Sequence, residues 1–315
     1  MSAVGRSRRS CLAVPGSSPK MLAKAPGLPA DQIFLDLEDA VAPLAKPAAR
    51  ANIVAALKDF DWGGKIRAVR INDVTTPWAY RDVIEVVEGA GDVLDCLVLP
   101  KVDSPAAVQW LDVLLTQIEK AVGLPVGGIG IEAQIETARG LAAVEEIAAC
   151  SPRLETLIFG PADFMASINM RSLSVGQPHP DYPGDPFHYV LMRLLTAARA
   201  HGLQAIDGPY LKIRDLDGFA ESARRTAALG FDGKWVLHPG QIELCNEIYS
   251  PDQEAYDHAE LILEAYAYHT SQAGGARGAV MLGDEMIDEA SRKLALVIAA
   301  KGRAAGLTRT SRFQP

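Results

Sequence analysis

Short apolar runs rich in β-branched residues recur along most of the chain and alternate with longer segments of helical spacing. Runs with apolar residues on both faces predict buried strands of a parallel sheet. The predicted strands span residues 10–14, 32–37, 65–71, 96–99, 129–135, 156–159, 203–206 and 234–237.

The segments between these strands carry apolar residues three and four positions apart, which predicts amphipathic helices. They span residues 47–60, 76–88, 104–122, 137–149, 187–201 and 216–229. Gly230 follows the last of them directly, and glycine at that position is typical of a helix C-terminus.

Strands that alternate with helices about eight times over roughly 250 residues favour a (β/α)₈ TIM barrel. A doubly wound open sheet alternates in the same way and is the competing interpretation. The chain length and the absence of a GxGxxG motif after the first strand favour the barrel. In a barrel, the active site is expected at the C-terminal ends of the strands.

The pattern predicts a barrel domain over residues 1–250 and a C-terminal helical extension over residues 251–315. The extension is predicted to contain helices at 252–269 and 284–300. Gly274, Gly275 and Gly278 between them would let it reach its own barrel or a neighbouring subunit's active site. The long Pro- and Gly-rich segment 169–186 is predicted to be a lid over the strand ends.

Composition narrows the classes of function. The chain has 315 residues, of which 49% are hydrophobic, and a net charge of −8, which argues against a nucleic-acid partner. The four cysteines lack CxxC spacing and are expected to be buried, reduced thiols. No apolar run is long enough to span a membrane, and no signal core follows the basic N-terminus, so a cytoplasmic location is expected.

Two predicted strands end in a carboxylate, one at Glu136 and the other at Asp163. Either acid alone could cap the helix that follows it. Two carboxylates that meet at one end of a sheet repel each other unless a cation neutralises them, and Mg²⁺ prefers such oxygen ligands. The pair therefore favours a Mg²⁺ site. The polar residues expected at the same end are Ser17, Glu38, Asp39, Arg70, Asn72, Lys101, Glu136, Asp163, Asp207 and His238.

Nine segments, in order along the chain, resemble those of the CitE-like branch of the HpcH/HpaI aldolase superfamily. Within that branch the chain is most similar to L-malyl-CoA/β-methylmalyl-CoA lyases, and PDYPGDPFH supports this assignment most strongly. The segments are CLAVPGSSPKMLAK, IFLDLEDAV, VRIN, LPKV, IETARG, IFGPADF, IDGPY, GFDGKWVLHPGQ and GDEMIDEA.

The resemblance implies a Mg²⁺-dependent carbon–carbon lyase, built as a homotrimer or homohexamer of barrels. Its substrate would be an acyl-CoA thioester such as L-malyl-CoA, cleaved to glyoxylate and acetyl-CoA. Glu136 and Asp163 match the metal ligands, and Glu136 is also expected to bind substrate. Arg70 matches the substrate-binding arginine and is expected to act in catalysis, and Lys24 lies near the expected CoA contacts. Asp288 matches the catalytic acid that related lyases supply from an adjacent subunit.

Glu38 and Asp39 are expected to orient Arg70 or the waters of the metal. Several alternatives remain at this point. The chain could be a malyl-CoA thioesterase, a citramalyl-CoA lyase, or a non-catalytic subunit like the citrate lyase β chain. Lys101 or Lys234 could serve a Schiff-base aldolase, which ranks below the metal route.

Three further residues have a plainer interpretation. Arg70 could pair with Glu38 or Asp39 as a structural ion pair, and that role is compatible with substrate binding. Asp288 could be a solvated helix residue. His238 is expected to fill a hydrogen-bonding role rather than a catalytic one.

Overall fold

The computed structural model describes residues 6–177 and 181–314, and within them eight parallel strands close into a barrel. Each strand pairs with the next along the chain, and β8 pairs with β1. The predicted TIM barrel is therefore confirmed. The strands are β1 Ser10–Pro15, β2 Gln32–Asp36, β3 Ile66–Arg70, β4 Cys96–Leu99, β5 Gly130–Ile135, β6 Leu154–Phe159, β7 Gln204–Asp207 and β8 Gly233–Val236.

Helices follow the strands and cover the outside of the barrel. They are α1 Pro19–Lys24, α2 Lys46–Asp59, α3 Ala79–Ala90, α4 Pro105–Val122, α5 Ala138–Ala142, α6 Val144–Ala149, α7 Pro161–Ser167, α8 His188–Ala200, α9 Leu216–Leu229 and α10 Ile242–Ile248. Helix α9 has the predicted bounds, and Gly230 ends it with the left-handed φ of 109° that glycine adopts without strain.

Helix α4 shows how the sequence produces this outer layer. Pro105 begins the helix, where its missing N–H costs nothing. Val108, Leu111 and Leu115 lie three and four residues apart and are fully buried against the barrel. Each buried leucine contributes about 2 kcal/mol by leaving water. Gly123 ends the helix in the left-handed conformation.

The inside of the barrel is partly apolar and partly charged. Phe34 and Trp235 pack with ring centroids 4.3 Å apart within the inner apolar cluster. Towards the N-terminal ends of the strands, the fully buried Arg8 donates 2.9 Å hydrogen bonds to Gln32 and Glu132. A buried charge needs such partners, and this network closes that end of the barrel.

Two local features differ from the sequence prediction. The helix predicted over 137–149 is broken at Ala143 into α5 and α6. The last helix begins at Glu289 rather than at residue 284, because an antiparallel hairpin precedes it. A two-residue Gly283–Asp284 turn joins the hairpin strands, and the positive φ of Gly283 suits such a turn.

Part of the predicted lid is described. Val175 is buried, Gln177 Nε2 donates to the hydroxyl of Tyr210 at 3.3 Å, and Asp185 lies 3.4 Å from Arg225 of α9. These contacts attach the described parts of the segment to the α9 side of the barrel. Residues 178–180 lie outside the described residues, and the lid role stays a prediction.

The chain divides into two compact units, Met1–Tyr249 and Ser250–Pro315. The second unit contains α11 Gln253–Thr270, β9 Val280–Leu282, β10 Glu285–Ile287 and α12 Glu289–Ala304. Tyr256, Ile262 and Ile287 are among the residues of its own small apolar core. Among the described residues, no helix is both long enough and apolar enough to cross a bilayer.

Candidate active site

Charged side chains gather where the parallel strands end, as expected for a TIM barrel. β2 leads to Asp36 and Glu38, β3 ends at Arg70, and β4 leads to Lys101. β5 leads to Glu136, and β6 leads into the first turn of α7 with Asp163. The acidic cluster is defined here as Asp36, Glu38, Asp39, Glu136 and Asp163, with the cations Arg70 and Lys101.

Glu136 is buried and held at both carboxylate oxygens. The main-chain N–H of Lys101 donates to Oε1 at 2.7 Å, and Gln134 Nε2 donates to Oε2 at 2.5 Å. Burial raises the pKa of Glu136 to about 8. Lys101 opposes this shift, whereas the carboxylates of Glu38 and Asp163 add to it. Glu136 is therefore stable as a carboxylate at neutral pH only with more positive charge nearby.

The space around Glu136 depends on a glycine. A Cβ on Gly160 would lie 2.4 Å from Glu136 Cβ and 2.5 Å from Oε2, both closer than real contacts allow. Gly160 directly follows the last residue of β6 and is the residue before α7. The strand end therefore approaches Glu136 as closely as only glycine permits.

Neither carboxylate of the predicted metal pair fills the capping role. Thr137 caps α5, accepting a hydrogen bond from the Gly140 N–H. Gly160 is the N-cap residue of α7, and Asp163 lies further along its first turn with its side chain 42% exposed. Asp163 Oδ2 is 3.9 Å from Lys101 Nζ. The carboxylates of Glu136 and Asp163 are therefore not used as helix caps.

Lys101 lies at the centre of the acidic cluster. Its ammonium donates a hydrogen bond to Glu38 Oε1. Lys101 Nζ also lies 3.8 Å from Asp39 Oδ2 and 3.9 Å from Asp163 Oδ2. Burial alone would lower the pKa of Lys101, but the bond to Glu38 and the surrounding carboxylates raise it above its usual value. A permanently protonated amine is a poor nucleophile, which argues against the Schiff-base interpretation.

Arg70 is fixed by two acids of the LDLED segment. Its Nε and Nη2 each donate a 2.7 Å hydrogen bond to Asp36, and Nη1 lies 2.9 Å from Glu38 Oε2. The guanidinium also lies over the ring of Trp235, 5.3 Å from its centroid. Asp36 and Glu38 thus hold the arginine fork in one orientation inside the strand ends.

The pKa values of these two acids shift in opposite directions. Burial would raise the pKa of Asp36, but the Arg70 guanidinium and the main-chain N–H groups of Glu38 and Ala40 hold it below its usual value. Burial raises the pKa of Glu38, and Arg70 and Lys101 only partly offset this. Asp36 is therefore the firmly ionised partner of Arg70.

Sequence reasoning missed two of the positions that build the cluster. The sequence pattern assigns no role to Asp36. It places Lys101 at the strand ends but gives it no role other than that of a Schiff-base lysine. The signal for Asp36 was strand periodicity, since residues 36 and 38 share a face whereas 39 points the other way. Accordingly Glu38 contacts Arg70, whereas Asp39 is exposed and near Lys101.

Other strand-end residues face away from the cluster. Asn72 donates to the buried Asp82 at 2.6 Å, and Arg50 bonds the same carboxylate at 2.6 Å. Asp207 pairs with Lys234 at 2.5 Å and accepts from Thr226 of α9, so this pair lies between the sheet and the helices.

His238 accepts a hydrogen bond from the Gly240 N–H at 3.1 Å, which fits the structural role expected for it.

Two predicted site residues lie apart from these strand ends in sequence. Lys24 is exposed in the last turn of α1, and its contact with CoA stays a prediction. Asp288 is the N-cap of α12, and its Oδ1 accepts from the N–H groups of Ala290 and Ser291 at 2.9 and 3.0 Å. These bonds lower the pKa of Asp288. Its catalytic role stays a prediction as well.

The chemistry of the cluster suits a hard divalent cation. Its five carboxylates outnumber its two cations, and the carboxylates of Glu38 and Asp163 add to the effect of burial in raising the pKa of Glu136. No group of three or more His, Cys, Asp or Glu side chains arranged to hold a metal occurs in residues 6–177 and 181–314. Two carboxylates completed by substrate oxygens and water are, however, a usual set for Mg²⁺. Glu136 and Asp163 therefore fit a Mg²⁺ site.

Residues 9–239 match the profile of the HpcH/HpaI aldolase/citrate lyase family. The chain is 42% identical over 302 residues to an L-malyl-CoA/β-methylmalyl-CoA lyase of Cereibacter sphaeroides, covering 93% of this chain and 94% of that protein. It is 34% identical to the malyl-CoA/β-methylmalyl-CoA/citramalyl-CoA lyase of Chloroflexus aurantiacus, and the match covers 85% of this chain and 79% of that protein.

A solved structure of CitE from Mycobacterium tuberculosis, in complex with magnesium, acetoacetate and coenzyme A, has the same architecture. It is 31% identical to this chain with a TM-score of 0.73, and the match covers 96% of this chain and 100% of that one. These comparisons confirm the resemblance drawn from the nine sequence segments.

Proposed function

The chain belongs to the HpcH/HpaI aldolase/citrate lyase family, and we propose that it is a Mg²⁺-dependent CoA ester lyase. The proposed substrate is a 3-hydroxyacyl-CoA that carries a carboxylate, such as L-malyl-CoA. The enzyme would cleave it to glyoxylate and acetyl-CoA, or form it from them.

One observation carries this proposal. Two carboxylates, Glu136 and Asp163, and an immobilised guanidinium, Arg70, belong to one charged cluster at the strand ends. Glu38 and Lys101 connect the two sides by direct contacts. A retro-aldol cleavage needs both a Lewis acid for the hydroxyl and carboxylate oxygens and a fixed cation for developing negative charge.

Glu136 and Asp163 would hold the Mg²⁺. When bound there, the ion would supply Lewis-acid polarisation of the substrate's carboxylate and hydroxyl oxygens. In cleavage, the hydroxyl loses its proton and the bond between the carbinol carbon and the thioester's α-carbon breaks. The electron pair passes to the thioester as an enolate, which must then be protonated to give acetyl-CoA.

Arg70 would bind an oxygen on which negative charge develops. Asp36 uses two of its five N–H donors, which fixes the fork and leaves others for Glu38 and the substrate. Since the guanidinium is already oriented before the reaction, it stabilises the transition state without reorganisation. Losing one such donor typically costs about 3–4 kcal/mol of transition-state stabilisation.

Asp288 is proposed to transfer the proton at the acetyl methyl, reaching the barrel of a neighbouring subunit. Its cap bonds lower its pKa, so this role requires that a dry subunit interface raise the pKa again. The expected homotrimer or homohexamer, the CoA contact at Lys24 and the cytoplasmic location belong to the same proposal.

A second substrate is supported by one comparison. The Chloroflexus aurantiacus relative, 34% identical, is named for citramalyl-CoA as well as for malyl-CoA and β-methylmalyl-CoA. These substrates differ by methyl groups, each worth only about 1–3 kcal/mol of discrimination. Citramalyl-CoA is therefore the second candidate, with pyruvate in place of glyoxylate as its product.

The test is an assay that separates cleavage from hydrolysis. The protein is incubated with Mg²⁺ and malyl-CoA, and glyoxylate and free thiol are measured separately, with EDTA and Glu136→Ala as controls. Glyoxylate without free thiol supports the lyase. Free thiol with malate would instead indicate a thioesterase, and neither product would point to another substrate or to a non-catalytic subunit.

A further inference from the structure

Lys101 makes two different contacts from one unusual backbone position. It follows Pro100 directly after β4 and has a φ of 51°, in the left-handed region that non-glycine residues rarely occupy. In this conformation its main-chain N–H points to Glu136 while its side chain reaches Glu38. The position of Glu136, which would bind the metal, is therefore linked to the position of Glu38, which contacts Arg70.

The ammonium of Lys101 also stands beside the second carboxylate of the proposed metal site. Its Nζ is 3.9 Å from Asp163 Oδ2 and 3.8 Å from Asp39 Oδ2. A cation bound by Asp163 is therefore close to a fixed positive charge that repels it. The same ammonium neutralises Glu38, which would otherwise add to the attraction for a metal.

We propose that Lys101 is a positioning residue that joins the metal half of the cluster to its arginine half and holds the affinity for the divalent cation down. The inference rests on the proposed Mg²⁺ site. It predicts two effects of opposite sign when the ammonium is removed. The cation binds more tightly because a repelling charge is gone. Turnover slows because Glu38, which contacts Arg70, loses its partner.

A purely structural lysine would behave differently. If Lys101 served only to hold the loop after β4, its loss would misplace Glu136 and weaken metal binding together with turnover. The sign of the change in metal affinity therefore separates the two roles. This readout requires no substrate and is independent of the lyase reaction.

The experiment titrates Mg²⁺, and Mn²⁺ in parallel, into the full-length protein by calorimetry. Lys101→Asn removes the charge but keeps a residue that tolerates a positive φ. We expect it to bind the cation roughly tenfold more tightly than the wild type and to turn over roughly a hundredfold more slowly. Lys101→Arg keeps the charge and is expected to bind the cation like the wild type.

Lys120→Asn is the matched control, since Lys120 is an exposed lysine at the far end of α4. This variant should change neither the affinity for the cation nor the turnover. Circular dichroism checks folding, and Lys101→Gly, which also accepts the positive φ, replaces Lys101→Asn if the latter fails to fold.

Cation binding that is unchanged or weaker in the folded Lys101→Asn protein overturns the inference. So does wild-type turnover in that variant. A wild-type protein that binds neither Mg²⁺ nor Mn²⁺ overturns the metal site of the proposed function, and this inference with it. Binding in the wild type without a gain in the variant defeats the inference alone.

Discussion

The carboxylate of Asp36 holds the guanidinium of Arg70 by two hydrogen bonds, Nε to Oδ1 and Nη2 to Oδ2, each 2.7 Å long. The two residues end neighbouring strands and are register partners in the barrel. Asp36 is 1% exposed, so the pair forms away from bulk water, where it is rigid. The arginine fork is therefore oriented by the sheet itself.

Breaking this pair should impair catalysis more than folding. Asp36→Asn replaces one of the two carboxylate oxygens that accept from Arg70 with an NH₂ group, which cannot accept. The guanidinium therefore loses its fixed orientation. We expect kcat/KM to fall roughly 100- to 1000-fold and the free energy of unfolding to fall by about 3 kcal/mol. Steady-state kinetics and urea denaturation measure the two quantities.

Asp31→Asn is the control for this variant. Asp31 forms a similar two-bond pair with Arg9 at the opposite end of the barrel. Its loss should lower stability but leave kcat within about twofold of the wild type. Equal losses of kcat in Asp31→Asn and Asp36→Asn would contradict the role of Asp36.

Mg²⁺ binding should release a proton at neutral pH. The pKa of Glu136 is raised to about 8, so the side chain is protonated below that pH, and a metal ligand must be ionised. Apparent Mg²⁺ affinity should therefore rise about tenfold per pH unit below pH 8 and level off above it. Calorimetry in buffers of different ionisation enthalpy should find nearly one proton released at pH 6.5 and about 0.1 at pH 9.

The same shift has a consequence for stability. A carboxyl whose folded-state pKa is raised contributes stability that is present below its unfolded pKa of 4.5 and is lost as pH rises through about 8. Mg²⁺ should therefore raise the melting temperature more at pH 8.5 than at pH 6. Glu136→Gln cannot ionise at this position, and a Mg²⁺ effect that kept its pH dependence in this variant would contradict the assignment.

Gly160→Ala should damage the metal site through a single methyl group. The new Cβ would lie 2.4 Å from Glu136 Cβ, so that side chain must move. We expect Mg²⁺ affinity to fall more than about tenfold, with a loss of roughly 1–3 kcal/mol in the free energy of unfolding. Gly64→Ala is the control, because nothing lies within 4 Å of its Cβ. Unchanged Mg²⁺ binding in Gly160→Ala would mean that Glu136 is not a ligand.

Asp288 can be tested without loss of its cap. Asn and Ser both cap helices about as well as Asp, so Asp288→Asn and Asp288→Ser should keep the melting temperature within a few degrees. If Asp288 transfers the proton, both should slow turnover about 100-fold or more while CoA binding is retained. Wild-type rates in both variants would leave Asp288 as a helix cap only.

Sequence patterns predicted the elements better than the contacts between side chains. The β4 strand and the α9 helix with its Gly230 cap were found from apolar periodicity and one glycine, because these signals are local. The hairpin before α12 was missed, although the Gly283–Asp284 turn between apolar residues was a signal for it. The predicted helix start at residue 284 was wrong for that reason.

The candidate site was predicted in part. Glu136, Asp163 and Arg70 were identified because each follows a strand, and parallel strands end at one side of a barrel. The central place of Lys101 could not be predicted, since it depends on a left-handed backbone position that only the folded chain reveals. Strand alternation could have singled out Asp36 over Asp39, because only the former shares the face of Glu38.

The most direct test of the central claim is a crystal structure of the protein with Mg²⁺, glyoxylate and CoA. We expect one ion between the carboxylates of Glu136 and Asp163, with glyoxylate oxygens completing its ligands and the Arg70 guanidinium facing the same glyoxylate. A Mg²⁺ ion bound elsewhere, or glyoxylate bound away from Arg70, would contradict the account.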